Sequence, residues 1–360
     1  MEKGYIQFIK AQYGDAFILH CRKDDNKGII VIDGGYGINS KKNRFLSEIT
    51  NIKTVDLMVL THPDDDHLMG IKEYIKNHLN DDPFPVKEIW ANCAPNVEIN
   101  VDCNLSARNA NRLSETLTGL QDAGNTIWRN DICGCQTCNM SFADIHIVGP
   151  SQKTLQAFVE RYRDEIGYDK VEQNVDVCAR DFDNDLQTDM KTLATRKKRK
   201  CDFGKFSDAS NASSISLIIT CDDFSILMLG DAFPDDIVEG LTEMGYSPDK
   251  PLKVDYVKMP HHGSAQNISN ELLDMIDCQN YIISTNGAVY HHPDREALAN
   301  VLCHEKRDLD IPINFYFNYP LEVIEETGKH IFNKSLDQNL NYAIFEPLPE
   351  DKSGLILMAP

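Results

Sequence analysis

Five short apolar runs in this 360-residue chain break off at the same kinds of residue. "VIDGG" carries Asp33, "MVLTHPDDDH" runs into His62 to His67, and "ILMLGD" stops at Asp231. "YVKMPHHGS" carries His261 and His262, and "IISTNGAVYHHP" carries His291 and His292. Runs rich in Val and Ile, bounded by Gly, Asp, Asn or Pro, predict β-strands. In sheet-based α/β folds, sites form at strand ends on one side of the sheet. Separate strands ending in metal-ligand side chains therefore predict convergence on one point. An acidic cluster such as "HPDDDH" is ordinarily a solvated loop, but that meaning does not account for the other four clusters.

The rest of the chain alternates in the same way. Further strands are expected at "YIQFIKA", "AFILHCR", "VKEIWAN", "DIHIVGP" and "SISLIIT". Helices are expected at Asn39–Thr50, His67–Asn80, Leu105–Ala123, Ser151–Glu165, Asp235–Met244, Ser269–Ile276 and Arg295–His304. An apolar content of 42% suffices for a sizeable core, and the length fits one large α/β domain spanning 1–360. Two stretches read as insertions: Asn92–Met140, which is polar, and Arg163–Ser210, which is highly charged and has few apolar residues to offset ordering entropy.

Composition narrows the function classes. The formal net charge of −20 argues against broad, nonspecific nucleic-acid binding, which needs basic surface to displace counterions. "RKKRK", Arg196 to Lys200, is a local exception, either a solvated loop or a phosphate contact. No run approaches the ~20 apolar residues of a membrane span. Eleven cysteines, an odd number in a long chain without an export signal, predict reduced thiols and a cytoplasmic protein. Cys133, Cys135 and Cys138 in "ICGCQTC" are close enough in sequence for a structural zinc with a fourth ligand from elsewhere, or are three free thiols in a loop.

Spacing gives "THPDDDHLMG" a chemical reading. On extended backbone, residues two apart point the same way, so His62, Asp64 and Asp66 share a side. His67 then opens a helix and turns to the same centre, while Asp65 points away. One segment can thus feed two ions, His62 and Asp64 to one, Asp66 and His67 to the other, with Asp231 bridging. Carboxylates and neutral imidazoles suit Zn²⁺, Mn²⁺ or Fe²⁺.

In order along the chain, "QYGDAFIL", "VIDGG", "THPDDDHLMG", "NASSISLII", "LMLGD", "VDYVKMPHHGS" and "STNGAVYHHP" resemble the motifs of the metallo-β-lactamase superfamily. Within it, the match is to the metallohydrolase domain of ComEC-type competence proteins and their free-standing relatives. The resemblance implies an α/β fold, an αββα sandwich of two mixed β-sheets flanked by helices, with the two insertions outside it. It implies His62, Asp64, Asp66, His67, Asp231 and His262 as ligands to two divalent ions, Zn or Mn. His261 would face the substrate, His292 would contact phosphate or donate a proton, and His291 would be a further substrate contact. Asp33 and Asn211 would order ligands and loops from behind.

One departure stands out. Many superfamily members supply another histidine from a strand end where this chain has "IHIVGP", with Pro150 at that place. The first metal site is therefore expected to be poor in ligands.

The implied activity is that of a metal-dependent phosphodiesterase or nuclease acting on nucleotides or nucleic acid through a metal-bridged hydroxide. Asp66, His261 and His292 would be the catalytic side chains. The alternatives are a carboxyl ester, thioester or lactone hydrolase on the same site, or a non-catalytic binding module of a multi-protein system. A protein partner is compatible with any of these.

Overall fold

The computed structural model describes residues 3–39, 41–93, 105–167, 182–326, 330–333, 335–348 and 350–358. Two sheets dominate it. The seven-stranded sheet runs in the order Gly354–Met358, Tyr5–Ile9, Phe17–Lys23, Asn26–Ile32, Val55–Leu60, Val86–Ala91, Ile127–Arg129. Its first four strands pair antiparallel and its last four parallel.

The eight-stranded sheet runs Tyr342–Phe345, Ile313–Phe317, Asn280–Ile283, Tyr256–Lys258, Ser225–Met228, Ser216–Thr220, Ala143–Gly149, Thr137–Met140. It is parallel from the first of these to Ser225–Met228 and antiparallel beyond.

Alternation along the strands builds the layers. Ile30, Ile32, Leu57 and Val59 of one sheet meet Leu217, Ile226 and Met228 of the other in the core between the sheets. Val31, Met58 and Leu60 face outward, against Ile71, Leu113 and Phe158 of the helices Asp65–Asn77, Leu105–Asp122 and Gln152–Gly167. Leu227 and Val257 face the opposite outer layer, against Ile237 and Leu298 of the helices Pro234–Glu243 and Arg295–Leu302. Strands buried on both faces read as continuous apolar runs, which is why they were visible in the sequence. Each such fully buried aliphatic side chain contributes about 1.5–3 kcal/mol. The result is the expected αββα sandwich.

The stretch read as the first insertion supplies an edge strand to each sheet, Ile127–Arg129 and Thr137–Met140. The second holds the short helices Phe182–Gln187, Met190–Ala194 and Phe206–Ala212. Three strands near the C-terminal end were not anticipated. The last of them, Gly354–Met358, pairs with Tyr5–Ile9. No helix among the described residues is long and apolar enough to cross a membrane.

Candidate metal centre

The parallel strands of both sheets deliver their C-terminal ends to one edge of the sandwich. Asp33 follows Asn26–Ile32 and His62 follows Val55–Leu60, while Asp231, His261 and His262 follow Ser225–Met228 and Tyr256–Lys258. Thr61 ties the first two together. Its backbone N–H and its hydroxyl both donate to Asp33, each at 2.8 Å.

The helix after His62 begins at Asp65, two residues earlier than expected, with Asp64 as its extended N-cap (ψ 146°). Three carboxylates at a helix start are favourable there, because the first-turn N–H groups carry partial positive charge. Asp66 therefore reaches the centre from the first helical turn rather than by strand alternation. Asp65 turns away, as expected, and accepts from Asn109 Nδ2 at 2.8 Å. Close backbone packing fixes this helix: a Cβ on Gly70 would lie 1.9 Å from the Gly34 carbonyl oxygen, and one on Gly14 1.8 Å from that of Asp66. Only glycine allows either approach.

Three imidazoles present the same nitrogen to the same space. His67 Nδ1 donates to Asp33 at 2.8 Å, and His262 Nδ1 donates to the Ser284 carbonyl at 2.8 Å. His62 Nδ1 lies 3.2 Å from the hydroxyls of both Thr61 and Ser214. Thr61 commits its proton to Asp33, so it accepts from His62. In each neutral ring the tautomer leaves Nε2 with a bare lone pair. All three Nε2 atoms are buried without a hydrogen-bond partner, as is Asp231 Oδ1.

Three groups of three ligand atoms converge here, all sharing His67: with His62 and Asp231, with Asp66 and His262, and with Asp15 and Asp33. Asp231 Oδ1 is 3.5 Å from His67 Nε2, and its Oδ2 is 3.6 Å from His262 Nε2 and 4.0 Å from His62 Nε2. Asp66 Oδ2 lies 3.3 Å from His262 Nε2, and Asp64 Oδ2 lies 3.7 Å from His62 Nε2.

Buried polar atoms are ordinarily satisfied, so a ring of orphaned imidazole and carboxylate donors fits divalent cations. The electrostatics agree. Burial alone would depress the His262 pKa, yet Asp231 and Asp15 raise it to about 10. Burial likewise opposes protonation of His67, and Asp231, Asp33 and Asp66 together overcome it. The centre holds more negative charge than its own cations balance. His62 differs: burial and then the neighbouring His67 hold its pKa down to about 3, so its ring is neutral. Burial and then Asp66 push Asp64 up to about 7.

Some residues at the centre were not singled out in the sequence. Lys258 is fully buried. It pairs with Asp15, donates to the Gly230 carbonyl at 2.9 Å and stands 3.6 Å from Asp231 Oδ1. A lysine inside the apolar run "YVKMP" was the available signal, since buried lysines are rare unless paired. Asp15 Oδ1 is 3.2 Å from His262 Nδ1. Ser210 donates to Asp64 at 2.6 Å, while the neighbouring Asn211 keeps a buried Oδ1 without a partner.

His261 is partly exposed and lies 3.6 Å from Asp231 Oδ2. Asn267 spends its amide protons on the carbonyls of Asp231 and Ala232, so its Oδ1 accepts from His261 Nδ1 at 3.0 Å. Burial lowers the His261 pKa. The neutral ring therefore offers a lone pair at Nε2, not a proton. His292 sits with its ring 5.3 Å from that of His261 and its Nδ1 3.6 Å from Asp294. His291 adjoins it in a turn at φ 56°. The strand ending at Gly149–Pro150 brings no histidine to the centre; His146 pairs with the Thr137 hydroxyl at 2.9 Å.

The cysteines are not brought together. Cys133 packs against the helix-covered core, Cys138 against the core between the sheets, and Cys135 donates to the Gly240 carbonyl and Glu243, each at 3.3 Å. No cysteine belongs to a metal-ligating group of three among the described residues. The basic run is likewise already engaged. Arg196 pairs with Asp185 at 2.7 Å and with Glu296 at 3.5 Å, Lys198 pairs with Glu296, and Arg199 with Asp208.

No family model matches the chain, and no curated protein matches it. Among solved structures, unliganded yeast PDE1 is similar at 12% identity and TM-score 0.43, over 99% of this chain and 100% of that one. A diphosphatase of the PhnP family is similar at 10% identity and TM-score 0.37, over 95% and 83%. A mutant of the CmlA β-hydroxylase is similar at 12% identity and TM-score 0.36, over 88% of this chain and only 46% of its own length. Likenesses at these scores say nothing of activity or substrate.

Proposed function

We propose that this chain is a metal-dependent phosphodiesterase, related to the ComEC-type hydrolases, acting in the cytoplasm on nucleotides or short nucleic acid. The observation that carries the reading is the set of orphaned donors: three buried Nε2 atoms and a carboxylate oxygen aimed into one space at the strand ends. His62, Asp64 and Asp231 would hold one divalent ion, and Asp66, His67, His262 and Asp231 the other. When bound, such ions supply Lewis acidity toward phosphoryl oxygens and acidify water near neutral pH. Zn²⁺ and Mn²⁺ both suit the donors, and the carboxylate-rich first set leans toward Mn²⁺.

The chain's own residues do the rest. Asp33 and Thr61 lock the tautomers of His67 and His62. Asp66 accepts a proton of the attacking water and orients it. His261, with its bare Nε2, serves as a second acceptor at the substrate face. His292 donates to a phosphoryl oxygen and passes a proton to the leaving oxygen, with Asp294 behind it. His291 is a further candidate for substrate contact. The free thiols, Cys21, Cys93 and Cys135 among them, suit a reducing compartment.

The test is hydrolysis of bis(p-nitrophenyl) phosphate by chelated protein, then by protein reloaded with Mn²⁺ or Zn²⁺, beside Asp66→Ala. Activity should return with metal and be absent in the variant. Metal-dependent turnover of a thioester with none of the phosphodiester would overturn the reading in favour of carbonyl chemistry. No turnover of either would favour a binding module.

A further inference from the structure

Three tyrosines border the centre without a part in that chemistry. Tyr13 lies two residues before Asp15, Tyr36 three after Asp33, and Tyr290 two before His292. The rings of Tyr13 and Tyr36 are 4.6 Å apart, and Tyr290 meets Tyr13 edge-on at 5.8 Å. Tyr290 lies nearly parallel to His292, at 24° and 6.3 Å, and His292 is 5.3 Å from His261. From there the row continues through His262 and His67 to His62, at 5.9, 5.3 and 4.2 Å. Aromatic rings thus run unbroken from the surface into the metal centre.

Tyr290 is 49% exposed and Val289 beside it 52%. A lone exposed aromatic needs no explanation. This one is held beside a charged centre by a tied-down turn. Val289 and His291 both sit at positive φ, 66° and 56°, which is unusual for a β-branched residue. The turn is fastened by Tyr290 N–H to the Ala288 carbonyl, Ala288 N–H to Asn286 and Gly287 N–H to Thr285. Burial, then the charges of Asp66 and Asp64, hold the Tyr290 phenol in its neutral form. Its ring is therefore a neutral planar surface within electrostatic reach of the ligands.

We propose that Tyr290, backed by Tyr13 and Tyr36, stacks a planar aromatic group carried by the phosphoester, and that this group is a nucleobase. The proposal rests on the phosphodiesterase reading and names its substrate class. Base stacking on aromatic side chains tolerates any base. It also suits a chain whose net charge is −20 and in whose basic run Arg196, Lys198 and Arg199 are held in internal pairs. Such a protein would gain affinity for a nucleotide from its base rather than from a long phosphate track.

The test is calorimetric titration of metal-loaded protein with AMP, ribose 5-phosphate and phenyl phosphate. AMP should bind about ten-fold more tightly than ribose 5-phosphate. Tyr290→Ala should erase that difference while leaving ribose 5-phosphate affinity unchanged, and Tyr290→Phe should keep it. Equal affinities in the wild type, or a difference that survives Tyr290→Ala, would overturn the stacking role. AMP no tighter than phenyl phosphate would overturn the nucleobase assignment. Binding is read without turnover, so failure here is distinct from failure to hydrolyse a phosphodiester.

Discussion

Two short segments of this chain are both dense in ligand-type residues and end in opposite arrangements. "HPDDDH" carries two imidazoles and three carboxylates, and "CGCQTC" carries three thiols. The first leaves a strand and, after four residues, enters a helix, so His62, Asp64, Asp66 and His67 all reach the space that Asp231 and His262 enter from the other sheet. The second runs along a sheet edge. There Cys138 goes to the core between the sheets, Cys133 to the helix-covered core, and Cys135 to the helix Pro234–Glu243. Ligand-type residues in a row make a site only where the backbone turns to gather them. The surroundings differ too. Every imidazole at the first segment has its Nδ1 fixed by an acceptor, whereas each thiol lies among groups that raise its pKa, burial first.

The largest effect that would break this contrast is at Asp231. On the proposed reading, in which Asp231 serves both ions, Asp231→Ala should lower metal-dependent hydrolysis about a thousand-fold and strip bound metal. Full activity with unchanged metal content would remove Asp231 from the centre. Next comes the buried cation behind it. Lys258→Met leaves Asp15 buried beside other carboxylates and should cost about 3–5 kcal/mol of stability in a denaturant titration. A loss under about 1 kcal/mol would mean that Asp15 is neutral in the fold.

The pairs at the centre also set a pH dependence for the metal-free protein. His67 and His262 titrate above the ordinary imidazole range, so their stabilisation is complete below about pH 6.5 and lost as pH rises, through about 10 for His262. Asp66 and Asp231 titrate below the ordinary carboxylate range, so their stabilisation is present above about pH 4 and lost on acidification. Asp64, raised to about 7, adds a loss that runs from about pH 4 to about 7. Melts should therefore show the chelated protein less stable at about pH 9 than at about pH 6. Metal should narrow that gap, because it replaces protons at the same nitrogens. A chelated protein that gains stability toward pH 9 would contradict the pairing.

Much of this was legible in the sequence because apolar runs buried on both faces announce themselves, and because polar residues at their ends are costly unless used. The strands and the convergence of His62, His67, Asp231 and His262 at their ends follow from those runs, while the two-sheet sandwich came with the resemblance that the motifs carry. What escaped depends on contacts between distant segments. The strand Gly354–Met358 takes its place only by pairing with Tyr5–Ile9. Ser210 reaches Asp64 across a separation of 146 residues. The pairing of Lys258 with Asp15 spans both sheets, and neither residue has a local signature beyond a charge in an apolar setting. The early helix start at Asp65 was hidden because three aspartates fit an extended loop and a helix N-terminus equally well.

The most direct test of the contrast is metal content, by mass spectrometry of the elements, in metal-loaded wild type and in a variant with Cys133, Cys135 and Cys138 all replaced by serine. The same metal-to-protein ratio is expected in both, with fold stability changed by no more than about 0.5 kcal/mol per site. A ratio that falls by a whole ion in the cysteine variant would contradict the contrast, and would move a metal from the strand ends to the sheet edge.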